Sequence, residues 1–286
     1  MIDIPWSDDY IDIRYKFTQD DSVFDRLVEL YPMLGKKDID GRFICPTCPH
    51  IYDDKNILRG NSGKYTTYND VVVECNCEEQ WKLHYWYLYA NIDEALQRMT
   101  WDEWGGDEKA RKLIWAYLQY HKGYIEEGIG LWLSGPPGTG KTMLASLVAK
   151  EFVKLGYDVK FMMFTDLISA YTKGFRNPEA REIFERDITR ADILILDDIG
   201  KEISKGSDLS IGTFDVILRS RNHANRPTII TTNLDKHEFL GTYQGGIWSV
   251  LGGKTNNVVV SGEDFRGKSL ELADERVRNN WKRPIV

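Results

Sequence analysis

From residue 129 onward short apolar runs recur along this chain, and most of them are followed by a stretch with helical cues. The runs are Ile129 to Leu133, Val159 to Phe164, Ile193 to Leu196, Thr228 to Thr232 and Val258 to Val260. Their length and β-branched content predict buried strands, since a buried helix needs roughly 10 residues or more. Met143 to Leu155 reads as a helix ended by Gly156, and Thr165 or Asp166 caps one ending near Gly174. Pro178 takes the first position of a helix running toward Thr189, and Ser207 or Asp208 caps one reaching His223. Strands alternating with helices predict an α/β fold, a doubly wound parallel sheet of about five strands.

The upstream part has a different pattern. Ser22 to Tyr31 carries Val23, Leu27, Leu30 and Tyr31 at helical spacing, a face that suits either a core or a partner. Tyr65 to Val73 is rich in β-branched residues and follows the turn signal Asn61-Ser62-Gly63. Trp81 to Ala90 is an aromatic-dense helix candidate, suited either to buried packing or to stacking on bases. Gly105-Gly106 interrupts the pattern, and Asp107 to His121 then predicts a helix with Gly123 after its end.

One stretch carries recognisable chemistry. Gly135-Pro136-Pro137-Gly138-Thr139-Gly140-Lys141-Thr142 fits G-x-x-x-x-G-K-[ST] in full, with Met143 opening the helix behind it. The glycines let the backbone curl until successive N–H groups face one concave anion site. Lys141 is placed to reach the β- and γ-phosphates of a nucleoside triphosphate, and Thr142 to hold Mg²⁺. Strand, loop and helix fall in the order that puts phosphates at a helix N-terminus.

Ligands of such sheets bind beyond the carboxyl ends of the strands, where Asp197-Asp198 and Asn233 also fall. A carboxylate on a buried strand end suits Mg²⁺, the role expected of Asp197. Asp198 is then close enough to orient or deprotonate a water. Asn233 either donates a hydrogen bond to that water or the γ-phosphate, or is a plain turn residue.

The net charge of -7 argues against a globally basic nucleic-acid binder without excluding a local basic groove. No apolar run is long enough for a bilayer, and the start Met1-Ile2-Asp3-Ile4-Pro5 lacks the basic and apolar parts of a signal peptide. A cytoplasmic protein with no membrane partner is expected. The four cysteines fall in two pairs, Cys45 with Cys48 and Cys75 with Cys77, which read as thiolate ligands of a structural Zn²⁺ in a zinc-ribbon-like module. His50 and His84 are substitutes if one cysteine is not a ligand. The expected organisation is an N-terminal segment over 1–40, the zinc module over 41–80, a helical connector over 81–125, the ATPase domain over 126–266 and a tail over 267–286.

Four stretches together resemble a known family: Gly135–Thr142, Ile193–Gly200 with its Asp-Asp, Pro227–Leu234 with its Thr-Thr-Asn, and Gly262–Arg266. They look like the AAA+ ATPase of the DnaC/DnaI-type helicase loaders, with the IstB transposition ATPases as close relatives. The likeness covers about residues 126–266 and part of 40–100.

It implies ATP with Mg²⁺ as cofactors, Asp197 on the metal, Asp198 as water activator and Asn233 as sensor. It also implies a homo-oligomeric ring or spiral, single-stranded DNA inside it, and a replicative DnaB-type helicase as partner. Where the family carries an arginine finger, this chain has Val250, which leaves Arg219, Arg221 or Arg266 as candidate fingers or sensors. Lys173, Phe175 and Arg176 are candidate single-stranded DNA contacts, or an ordinary polar loop. Two alternatives stand beside loading: an IstB-like ATPase acting on duplex DNA, and an ATP-switched adaptor with negligible hydrolysis.

Overall fold

The computed structural model describes residues 4–11, 29, 37, 39, 43–45, 51–52, 63–66, 72–200, 208–267, 270, 271, 274, 278 and 285–286. Cys48, His50 and, apart from Glu29, the expected helix from Ser22 to Tyr31 lie outside the described residues.

Five strands form the main sheet: β1 (Gly130–Ser134), β2 (Val159–Met163), β3 (Ile193–Ile199), β4 (Thr228–Thr232) and β5 (Thr255–Val259). Their order is β2-β3-β4-β1-β5, and all neighbours are parallel. Nine α-helices accompany them among the described residues. These are α1 (Cys77–Tyr89), α2 (Glu94–Gln97), α3 (Glu108–Gln119), α4 (His121–Glu126), α5 (Lys141–Lys154), α6 (Phe164–Gly174), α7 (Pro178–Phe184), α8 (Asp208–His223) and α9 (Lys236–Gly252). Upstream, Gly63–Thr66 pairs antiparallel with Val72–Cys75, and Phe43–Ile44 with Ile51–Tyr52.

Alternation along each strand sends its side chains to two separate cores. Leu131, Leu133, Ile193, Ile195 and Ile229 pack with Leu144, Val148 and Phe152 of α5, and with Tyr87, Ile114 and Tyr117 from upstream helices. Trp132, Leu194, Leu196 and Ile230 face the other way, onto Phe164, Phe214, Leu218, Phe239 and Tyr243. Each such side chain contributes roughly 1.5–3 kcal/mol by burial, so the sheet is clamped on both faces.

The upstream helices are fastened to the sheet by specific polar contacts. Edge strand β2 is covered by the turn after α1: Phe161 donates its N–H to the Ala90 carbonyl at 2.8 Å, and the Asn91 amide returns to the Phe161 carbonyl at 2.9 Å. Such pairing hides an edge that would otherwise template aggregation. Lys160 lies 3.2 Å above the Tyr89 ring and donates to the Tyr89 carbonyl at 2.8 Å; burial pushes its pKa down to about 8. The aromatics of α1 turn inward, with Trp81, Tyr85 and Tyr87 buried, which is the packing alternative rather than base stacking.

Some boundaries differ from expectation, each for a local reason. Strand β3 runs through both aspartates to Ile199, because its main chain goes on pairing with β4 beyond the apolar run. Strand β5 starts at Thr255, three polar residues early, since pairing with β1 overrides the weak strand preference of asparagine. The helix expected over Asp107 to His121 breaks at Tyr120, and Gly123 lies within α4.

Candidate functional site

The loop between β1 and α5 is a cradle of backbone amides. Gly138 and Gly140 both hold left-handed backbone, at φ 84° and 85°. A Cβ at Gly138 would stand 2.3 Å from a carboxylate oxygen of Asp264, and one at Gly140 3.0 Å from the Trp104 indole nitrogen. Only glycine meets the backbone and space requirements together. The Thr139 hydroxyl closes the loop on the Pro136 carbonyl at 3.0 Å. Lys141 is 7% exposed, and its ammonium donates to the Gly135 and Pro136 carbonyls at 2.7 Å each. Met143 sits in the first turn of α5, whose free N–H groups and dipole favour an anion.

Beside the cradle stands a carboxylate with hydroxyl donors on two sides. Asp197 is 2% exposed on β3. The Thr142 hydroxyl lies 3.1 and 3.0 Å from its two oxygens, and the Thr231 hydroxyl donates to Oδ1 at 2.5 Å. Asp198 has left-handed backbone at φ 62°, and its N–H donates to Thr231 Oγ1 at 2.8 Å. The Asn233 amide reaches the Asp198 carboxylate at 3.4 Å. Thr142, Asp197, Asp198 and Asn233 thus meet at one spot, at the carboxyl ends of β3 and β4 and the start of α5. An exposed threonine hydroxyl beside a buried carboxylate is a hard-oxygen donor set that fits Mg²⁺.

A polar cavity of about 340 Å³ flanks the cradle, lined by Gly105, Gly106, Asp107, Ser261, Asp264 and Phe265. Phe265 donates its N–H to the Gly138 carbonyl at 2.8 Å, so this segment is laid directly on the loop. Asp107 caps α3 and accepts from the Ser261 hydroxyl and N–H; chiefly the hydroxyl bond lowers its pKa from the usual carboxylate value.

Three of the four cysteines come together among the described residues. The sulfurs of Cys45, Cys75 and Cys77 lie within 4.8 Å of one another, all three residues buried. His84 is buried, and its Nδ1 is paired with Gln97 Oε1 at 2.8 Å.

The three arginines separate. Arg221 is a correction: as a candidate finger it should be exposed, yet it is 0% exposed. Its guanidinium binds Thr228 Oγ1 and the carbonyls of Ile188, Ala191, Asp192 and Pro227, so it joins α8 to the chain entering β3 and β4. Arg219 is exposed, paired with Asp215 at 2.8 Å. Arg266 is exposed and pairs with Asp264 at 3.5 Å, on the P-loop's own flank.

Lys173, Phe175 and Arg176 are exposed at the end of α6, with Phe175 edge-on to Tyr171. Phe175 also lines a separate cavity of about 550 Å³ with Tyr171, Arg181, Arg190 and Val216. Sequence reasoning missed Thr231, Trp104 and Asp264. The first lies within the quoted Thr-Thr-Asn, but its two partners become visible only across the sheet.

Comparison with known proteins agrees with this geometry. Residues 112–248 match the family described as IstB-like ATP binding protein. The replicative helicase loader DnaC of Escherichia coli K12 is 32% identical over 120 residues, 40% of this chain and 48% of that protein. This chain therefore spans about half the length of the curated relatives it first matches. The crystal structure of a DnaC helicase loader superposes with a TM-score of 0.51 at 24% identity, over 59% of this chain and 100% of that one. Domain III of the Thermotoga maritima replication initiation protein DnaA gives 0.50 at 15%, over 67% and 78%. These two likenesses concern the fold.

Proposed function

We propose that this chain, whose residues 112–248 match the family described as IstB-like ATP binding protein, is an AAA+ ATPase that loads a replicative helicase. The observation that carries the reading is the Thr142 hydroxyl within 3.1 Å of the Asp197 carboxylate, beside a glycine cradle at a helix N-terminus. The amides from Gly138 to Thr142 and the Lys141 ammonium hold the phosphates. Thr142 and Asp197 hold Mg²⁺, which neutralises charge between the phosphates when bound. Asp198 orients and deprotonates the attacking water, and Asn233 fixes that carboxylate or the γ-phosphate from β4.

On this reading ATP-bound copies assemble as a ring or spiral in the cytoplasm. Lys173, Phe175 and Arg176 meet single-stranded DNA, two cations flanking an aromatic that can stack on a base. Cys45, Cys75 and Cys77, with Cys48, hold Zn²⁺ in a module before the ATPase domain, and that end of the chain meets a DnaB-type helicase. The IstB match favours a second reading, an ATPase that coats duplex DNA. Val250, in place of the family's finger arginine, favours a third, an adaptor with little turnover.

Sizing the protein alone, with ATP, with single- or double-stranded DNA, and with a DnaB-type hexamer separates the three. Loading predicts an ATP-dependent complex with the helicase that Lys141→Ala abolishes. An absence of helicase binding in every nucleotide state overturns it, and preference for duplex DNA favours the second reading.

A further inference from the structure

The register between β3 and β4 slips by one residue at the site. Leu196 pairs with Ile230 and Ile199 with Thr232, so Asp197 and Asp198 together stand opposite the single residue Thr231. This is a β-bulge in a parallel pair, where bulges are rare, and it interrupts the ladder locally. Asp198 is left-handed at φ 62°, a conformation a non-glycine residue adopts only when its surroundings hold it there.

Thr231 supplies the hold. It is 1% exposed, so water does not substitute for its hydroxyl. Oγ1 accepts the Asp198 N–H at 2.8 Å and donates its own proton to Asp197 Oδ1 at 2.5 Å. A hydroxyl has one proton to give, and both directions are used consistently. One oxygen atom therefore sets the distance between the backbone of Asp198 and the carboxylate of Asp197. The neighbouring Thr232 hydroxyl binds the Ile199 carbonyl at 2.7 Å, fixing the far end of the bulge.

We infer that Thr231 is a positioning residue for the nucleotide chemistry: its hydroxyl aims the Asp197 carboxylate at the metal site and holds Asp198 turned toward the water site. This rests on the roles proposed above for the two aspartates. Thr231 acts through these two residues, by its bonds to the Asp197 carboxylate and the Asp198 backbone. Partners one step removed from a metal change affinity or activity by roughly 10–100-fold when lost.

The test compares Thr231→Val, which keeps the shape and removes the hydroxyl, with Thr231→Ser, which keeps the hydroxyl. ATP turnover and the affinity for a fluorescent ATP analogue are measured against Mg²⁺ concentration and in EDTA. Thr231→Val is expected to lower kcat roughly 10–100-fold and to raise the half-saturating Mg²⁺ by a similar factor. Affinity in EDTA, where the cradle acts alone, stays unchanged, and Thr231→Ser recovers most of both losses. A folded Thr231→Val with wild-type kcat and Mg²⁺ dependence overturns the inference. If neither Thr231→Val nor Thr231→Ala folds, Thr231 is a residue of the fold and the inference falls as well. Should the wild type bind ATP without turning it over, the proposed hydrolysis fails, and the Mg²⁺ dependence of analogue binding still decides the role of Thr231.

Discussion

The indole N–H of Trp6 donates to the carboxylate of Glu151 at 2.9 Å, joining the amino-terminal segment to the helix that starts at the P-loop. Trp101 donates to the other oxygen at 3.1 Å, the Tyr10 hydroxyl makes a further bond, and Lys154 lies at 3.3 Å. Glu151 is 1% exposed, and one turn of α5 thereby gathers two other stretches of chain, around Trp6 and Tyr10 and at Trp101.

Removing that charge is expected to loosen the amino-terminal segment. Burial alone would raise the Glu151 pKa, but Lys154 and the bonds from Tyr10, Trp6 and Trp101 outweigh it and hold the carboxyl below the usual glutamate value. A carboxyl depressed in the fold stabilises fully above its unfolded pKa and loses that contribution as pH falls through the folded value. Glu151→Gln turns an amide N–H₂ toward existing donors and should cost roughly 3–5 kcal/mol near neutral pH. The gap between wild type and Glu151→Gln should narrow on acidification below about pH 4.5, read by denaturant melts of tryptophan fluorescence. A pH-independent gap would remove the charge from the explanation.

How much of this was legible beforehand depends on whether the determining residues are neighbours in sequence. The P-loop is contiguous, so spacing alone placed Lys141 and Thr142, and the apolar runs marked the strands because both faces of the sheet are buried. Helix α9 is masked in the sequence by Gly241, Gly245, Gly246 and Gly252, each of which weakens a helix by about 1 kcal/mol against alanine. Phe239, Tyr243, Ile247 and Leu251 override that deficit, four residues apart and all buried against the sheet. The bulge at Asp197-Asp198 and the burial of Arg221 depend on partners brought in from other elements, which no local pattern announces.

The three described cysteines suit one zinc ion. Cys45 and Cys75 sulfurs stand 4.0 Å apart, far beyond disulfide length and close to the edge of a zinc–thiolate tetrahedron. Cys77 opens α1, where the helix dipole favours a thiolate. Purified protein is expected to carry one zinc per chain by elemental analysis, and Cys75→Ser to lose most of it. Chelation should unfold the small hairpins and spare nucleotide binding, because the cradle is built from β1 and α5. Metal-free protein with an unchanged circular dichroism spectrum would argue for plain buried thiols.

Arg219 and Arg221, two residues apart on α8, should fail in opposite ways when changed. Arg221→Met strips one hydroxyl and four carbonyls of their donor in the interior and should cost roughly 3 kcal/mol or more, with turnover falling only as folded protein is lost. Arg219→Ala removes an exposed ion pair with Asp215 worth about 0–1 kcal/mol, so stability should barely change. Yet the Arg219 guanidinium lies against Gly246, at 3.8 Å from where a Cβ would stand, one turn of α9 before Val250. A cation there serves in place of the arginine absent at Val250 if copies stack with α9 toward a neighbour's phosphates. Arginine fingers contribute on the order of 10³–10⁵ in rate, so Arg219→Ala should suppress turnover in the assembled protein and leave ATP affinity intact. Mixing Arg219→Ala, which keeps its own cradle, with Lys141→Ala, which keeps Arg219, should restore hydrolysis in mixed assemblies. Wild-type turnover in Arg219→Ala would instead direct attention to Arg266, whose ion pair with Asp264, the residue against Gly138, suits action within its own subunit.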